Sequence, residues 1–143
     1  MKVTLRRFLR ATDGTSAIEF ALLVLPFLLM VVGTIEVSRA WWTRQAIQDV
    51  ASATARCIGV GQLQCTLDGA YSPERALDFA TGLALGRGVA LTEGETTLER
   101  NVTCQDMTGA VRVTVQSRFQ SVLPMEWLYD FRADACFVDW SAV

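Results

Sequence analysis

Histidine is absent from this chain of 143 residues. That removes the Ser-His and Cys-His couples that activate nucleophiles, and with them the commonest general base. The four cysteines, Cys57, Cys65, Cys104 and Cys136, include no Cys-x-x-Cys pair. A tetrahedral zinc site would therefore need all four scattered thiolates, and no metal or cofactor is expected. No P-loop occurs, and Gly59-Val60-Gly61 is too short and too isolated to cradle a phosphate. Cations are scarce beyond the first residues. Lys2, Arg6, Arg7 and Arg10 lie within residues 1–14, and from residue 15 onward nine basic side chains face fourteen acidic ones, a net of −5. A chain so poor in clustered cations cannot displace the counterions of nucleic acid, so no nucleic-acid partner is expected. Glu93, Glu95 and Glu99 share one loop, where solvation explains them better than acid–base catalysis. The expectation is a protein that is not an enzyme.

What the chain does have is one long apolar run. Hydrophobic residues make up 51% of the sequence, and from Phe20 to Ile35 no side chain is charged. With Ala17, Ile18 and Val37 the stretch spans about 17–37, roughly 32 Å as a helix, enough to cross a bilayer. The basic leader precedes it with Asp13 as the only acid, which keeps the N-terminus cytoplasmic and places the rest outside. Glu19 and Glu36 stand near the two ends of the run. A lone carboxylate in hydrocarbon loses its hydration and gains nothing, so Glu19 calls for a partner. Pro26 removes one backbone hydrogen bond and is expected to kink or loosen the helix. Trp41 and Trp42 suit the headgroup level at the end of a span.

The helix is expected to continue past the membrane. Ile47, Val50, Ala51, Thr54 and Ile58 fall on one stripe, while Arg44, Gln48, Asp49, Ser52 and Arg56 occupy other positions. Gly59 and Gly61 are candidate terminators, giving a helix over 15–58. Residues 59–72 read as a loop. Ser72, Pro73 and Glu74 then open a second helix, with Leu77, Ala80, Leu83 and Ala84 as its packing face and Gly86 or Gly88 at its end.

After that the period becomes two. Leu98, Val102 and Cys104 alternate with polar residues, interrupted by Arg100, and Val111, Val113 and Val115 alternate with Arg112, Thr114 and Gln116. Met107-Thr108-Gly109 is the expected turn between them, and Phe131 to Trp140 is a third strand. The segment Leu123 to Phe131 reads as an apolar loop tucked under the sheet. The fold class is therefore α+β, a long helix followed by a periplasmic unit over 59–143 with a short helix and about three antiparallel strands. Four cysteines allow three pairings. The favoured one joins Cys57 to Cys65 and Cys104 to Cys136, because each closes a local feature; free buried thiols are the alternative in a reducing compartment.

The segment Gly14-Thr15-Ser16-Ala17-Ile18-Glu19-Phe20-Ala21-Leu22-Leu23-Val24-Leu25-Pro26, with Gly33-Thr34-Ile35-Glu36 further on, resembles the opening of the TadE-like pseudopilins of the tight-adherence (Flp) pilus system. The likeness covers roughly residues 6–45. It implies that residues 1–14 are a leader cut after Gly14 by a prepilin peptidase, leaving Thr15 as the new N-terminus. It further implies that Glu19 neutralises the N-terminal ammonium of an adjacent subunit, and that Pro26 lets the helix bend as the subunit leaves the bilayer. The partners implied are minor and major pilins of the same system, an inner-membrane assembly platform and membrane lipid. The role implied is a minor subunit that primes or caps a pilus used for surface attachment. The competing expectation is an uncleaved single-pass protein with a periplasmic binding or scaffold domain.

Overall fold

The computed structural model describes residues 15–121 and 130–140. The basic leader with Gly14, and most of the apolar segment 123–131, lie outside them. The chain divides after Val37 into two compact units.

The first unit is helical throughout its described length, as the beginning of α1, Thr15–Val60. From Ser16 to Val37 nearly every side chain is exposed, with Leu22, Leu23 and Met30 at 70%, 72% and 76%. A helix that displays leucine, phenylalanine and valine all round has no core of its own to face, which is the pattern of a helix solvated by lipid. Thr34 donates its hydroxyl hydrogen to the Met30 carbonyl at 2.8 Å, so that this polar side chain is satisfied inside the apolar run.

The second unit begins with the remainder of α1, and here the amphipathic stripe has a core to enter. Ile47, Val50, Ala51, Thr54 and Ile58 are all exposed by 1% or less. Each buried Ile or Val contributes about 1.5–3 kcal/mol of transfer free energy. Their neighbours are Val111, Val113 and Val115 of β4 (Met107–Arg118), and Ala133 and Ala135 of β5 (Asp130–Val138). The third wall of the core is α2, Pro73–Gly86. It buries Ala76, Ala80 and Ala84, one residue per turn, while Leu83 is partly buried and Leu77 stays 37% exposed. The expected face was thus right for Ala80 and Ala84, but the line runs through Ala76 rather than Leu77. Small side chains at i, i+4, i+8 let the helix lie close to the core.

Both ends of α2 follow from its sequence. The Ser72 side chain accepts from the Arg75 amide, and Pro73 occupies the first helical turn, where no amide partner is needed. At the other end the Gly88 amide returns to the Leu85 carbonyl and the Val89 amide to the Ala84 carbonyl. That is the paired bonding with which helices close on a glycine in the left-handed region, here Gly88 at φ 78°.

The end of α1 departs from expectation in an informative way. Gly59 lies inside the helix, which stops at Val60, and Gly61 takes φ 71°. A methyl group at Gly59 would stand 2.5 Å from the Val138 carbonyl oxygen and 2.6 Å from Phe137 Cδ1. Gly59 therefore serves close approach of α1 to β5, and Gly61 the termination. The following stretch is more ordered than a plain loop: a 3-10 turn, Leu63–Cys65, leads to a hairpin of two short strands, β1 (Thr66–Leu67) and β2 (Ala70–Tyr71). Its turn residues Asp68 and Gly69 both have positive φ, as a two-residue hairpin turn of this hand requires.

The main sheet has the order β3-β4-β5, with β3 covering Thr96–Cys104. The β3–β4 turn is made by Gln105 and Asp106, between the paired residues Cys104 and Met107. This corrects the expected turn at 107–109, which lies within β4. Gln105 at φ 50° and Asp106 at φ 66° adopt the conformation that matches strand twist without a glycine. The pairing slips once between Glu99 and Val102 and again between Val102 and Cys104. These bulges break the strict alternation read from the sequence. In contrast, β4 and β5 pair without a slip from Ala110↔Val138 to Arg118↔Asp130. Disulfides join Cys57 to Cys65 and Cys104 to Cys136, with Cα separations of 6.0 and 6.2 Å.

Candidate functional site

Of the residues singled out in the sequence, Thr15, Glu19 and Pro26 sit on the first unit. Thr15 opens α1, Glu19 is its fifth residue and is exposed, and Pro26 lies inside the helix. Proline has no amide hydrogen, so the Leu22 carbonyl lacks its usual donor four residues on. Glu19 and Pro26 therefore share one continuous helix, whereas Gly14 falls outside the described residues. The most apolar 18-residue window of this helix has a mean hydropathy of 2.4 and none of it is buried. Among the residues from Ser16 to Arg39, Glu36 alone is buried, at 3% exposure. Neither carboxylate was a surprise as a residue type, but the burial of Glu36 was not foreseen. A charge at the edge of an apolar run is the signal that pointed to it.

Within the second unit, three polar arrangements hold the elements in place. Trp42 is 66% exposed, yet its indole Nε1 donates to the Arg87 carbonyl at 3.1 Å, and Arg87 in turn forms an ion pair with Asp49. The end of α2 is thereby tied to α1 at two points one and a half turns apart or more. The expected headgroup placement took the tryptophan pair as equivalent. The structure separates them, since the bond to Arg87 belongs to Trp42.

A second arrangement surrounds Arg100. Its position appeared as an interruption of the apolar face of β3, and it is partly buried. Arg100 Nε donates to Asp139 Oδ2 at 2.8 Å, and its guanidinium carbon lies 4.6 Å from the centre of the Tyr71 ring. The Asp139 side chain is 2% exposed. Burial pushes the Tyr71 hydroxyl above its ordinary pKa; nearby Arg100 opposes this and Asp139 adds to it. Sequence reasoning missed this trio because β2 and residue 139 are distant from β3 in the chain. The one available signal was a charge at an inward strand position, which must find a partner.

The third arrangement covers the outer face of the sheet. Thr114 donates its hydroxyl hydrogen to Asp134 Oδ1 at 2.6 Å, and Arg132 reaches Asp134 Oδ2 at 3.3 Å. These hold the Asp134 carboxyl below its ordinary pKa, the Thr114 hydrogen bond being the largest cause. Arg112 lies on the same face, with Nε 3.3 Å from Cys104 Sγ and Nη2 3.0 Å from the Thr103 carbonyl.

Among the described residues, one apolar helix is long enough to cross a membrane and continues into a small disulfide-bonded α+β unit, the class of a membrane-anchored protein. In comparison with known families, residues 14–56 are similar to the family model described as TadE-like protein. The match takes in Gly14, Glu19, Pro26, Glu36 and the core stripe of α1 through Ala55, and it ends before α2 and the sheets. No curated protein and no solved structure matches the chain.

Proposed function

We propose that the protein is a minor pseudopilin, a non-enzymatic subunit that primes or caps a tight-adherence pilus used for surface attachment. The observation that carries this reading is the agreement of the family match with the physical character of the same residues. The segment that matches opens on Gly14 and Thr15, places Glu19 at the head of α1, and continues as an apolar helix whose most apolar 18 residues are unburied. In this reading the N-terminus starts in the cytoplasm, α1 crosses the inner membrane, and the second unit lies in the periplasm.

A prepilin peptidase cuts after Gly14, and Thr15 becomes the new N-terminus. Glu19 then accepts the ammonium of an adjacent subunit, because a paired carboxylate in a dry helical bundle is far less costly than a lone one. The missing hydrogen bond at Pro26 lets α1 bend as the subunit leaves the bilayer. The partners are the peptidase, minor and major pilins of the same system, the inner-membrane assembly platform and lipid. The second unit, with its own helix, sheet and two disulfides, is suited to a tip or initiating position, where a bulky head need not pack repeatedly along a fibre.

The test is the N-terminus of the protein recovered from its native membrane, by terminal sequencing or intact mass. The reading expects Thr15 first when the peptidase is active and Met1 first when it is deleted. A chain that keeps residues 1–14 beside an active peptidase sinks the proposal and leaves an uncleaved anchor with a scaffold domain. Glu19→Ala is expected to leave insertion intact and to abolish piliation.

A further inference from the structure

The two disulfides occupy different surroundings. Cys57 and Cys65 are both 0% exposed, within the core beside Val50 and Ile58. Cys104 is 6% exposed and Cys136 is partly exposed, on the outer face of the sheet near its edge. Cys136 is thus the more exposed half of this bridge. On the other sulfur, Arg112 Nε stands 3.3 Å from Cys104 Sγ.

Thiol–disulfide exchange needs an accessible sulfur to attack and a leaving thiolate of low basicity. A cation held against a sulfur lowers that basicity by stabilising the thiolate over the thiol. The partial exposure of Cys136 supplies the first requirement, and Arg112 supplies the second at Cys104. Neither exists at Cys57–Cys65, where both sulfurs are enclosed.

We propose that Cys104–Cys136 is an exchange site for an external dithiol, attacked at Cys136 with Cys104 as the leaving thiolate. A thiolate of the dithiol forms a bond to Cys136 Sγ, the Cys136–Cys104 bond breaks, and its electron pair remains on Cys104 beside Arg112. The second thiol of the reagent, once deprotonated, attacks its own sulfur in the mixed disulfide. That step releases the Cys136 thiolate and the reagent as a disulfide. The bridge gains two electrons, the dithiol loses two, and the protons given up by the reagent are available to the two new thiolates. The consequence for the fold is specific: β3 and β5, the two edge strands, lose their covalent tie, while the link from α1 to the 3-10 turn persists. This exchange requires neither cleavage after Gly14 nor assembly, so its failure and the failure of the pilus reading are separate results.

The experiment uses the full chain in detergent micelles, exposed to rising dithiothreitol, quenched with an alkylating reagent and mapped by peptide mass spectrometry. A parallel reaction with glutathione traps the mixed disulfide. The proposal expects Cys104 and Cys136 to become alkylated while Cys57 and Cys65 remain joined, with the glutathione adduct on Cys136. Arg112→Gln is expected to slow opening of Cys104–Cys136 by roughly tenfold, the order of effect of one charge-assisted hydrogen bond, and Arg112→Lys to slow it less. Simultaneous opening of both bridges, earlier opening of Cys57–Cys65, or an adduct mainly on Cys104 would each overturn it. An Arg112→Gln variant that opens at the unaltered rate would overturn the role of Cys104 as leaving group.

Discussion

Replacing Arg100 by methionine removes the ion-pair partner of a buried carboxylate. The Asp139 side chain is 2% exposed against 27% for Arg100, so the carboxylate is the partner that water cannot reach. Breaking a buried ion pair from one side costs about 3–5 kcal/mol, because the remaining charge keeps its desolvation penalty and loses its compensation. The exposure of Arg100 places this case at the lower end, about 3 kcal/mol, and lost stacking on Tyr71 adds about 0.5–1 kcal/mol. Arg100→Lys keeps the charge but gives up the guanidinium geometry and is expected to cost about 1 kcal/mol. The double change Arg100→Met with Asp139→Leu removes both charges and is expected to recover much of the loss, since an apolar pair needs no compensation. The assay is urea unfolding of the full chain in a fixed detergent, followed by near-ultraviolet circular dichroism, comparing midpoints at equal slope. Two results would refute the reasoning. One is a single-variant cost below about 1 kcal/mol, the usual worth of a solvent-exposed pair. The other is a double variant no more stable than Arg100→Met.

Further expectations concern the core and its titration. Gly59→Ala gains about 1 kcal/mol of helix propensity but drives a methyl group against the Val138 carbonyl and Phe137. Backbone on the far side cannot rotate away, so a net loss of about 1–2 kcal/mol in the same unfolding assay is expected. Thr54 is 0% exposed and its hydroxyl has no hydrogen-bond partner among the described residues; Thr54→Val is therefore expected to stabilise by about 1 kcal/mol, read as a raised midpoint. Tyr71 holds its proton more tightly in the folded chain than in the unfolded one. Its contribution is complete below the ordinary tyrosine range and is lost as pH rises through and above it, and Tyr71→Phe should flatten the alkaline limb of a stability–pH curve. Asp134 behaves oppositely: its folded pKa is lowered, so its contribution is present above the ordinary carboxylate range and lost as pH falls below it. Thr114→Val, by removing the largest cause, should reduce that acid-side dependence.

How much could be read from the chain depended on whether the relevant forces were local. The stripe Ile47, Val50, Ala51, Thr54 and Ile58 repeats at the helical period and is buried as read. Ser72 and Pro73 announce α2 because capping is a matter of a few adjacent residues. The two-residue turn at Gln105 and Asp106 was misplaced because glycine is the usual mark of positive φ, and the chain used glutamine and aspartate there instead. Gly59 was misread for the complementary reason: a glycine after a helical run suggests termination, and only the approach of β5, nearly eighty residues later, explains it. Arg100 looked like a fault in a strand because Asp139 and Tyr71 reach it through tertiary structure. Gly14 and Glu19 were legible only as spacing and resemblance, and the family match reaches both.

The disulfides join the first cysteine to the second and the third to the fourth. Because a chain is made from its N-terminus, Cys65 is the first partner that Cys57 can meet, ahead of Cys104. Cys104 then waits 32 residues for Cys136, with no other thiol left to capture. In an oxidising compartment the order of emergence favours the native pairing among the three. Correct cross-linking is thus a property of timing as well as of geometry, and a chain oxidised only after complete unfolding would have to find by search what a nascent one receives in sequence.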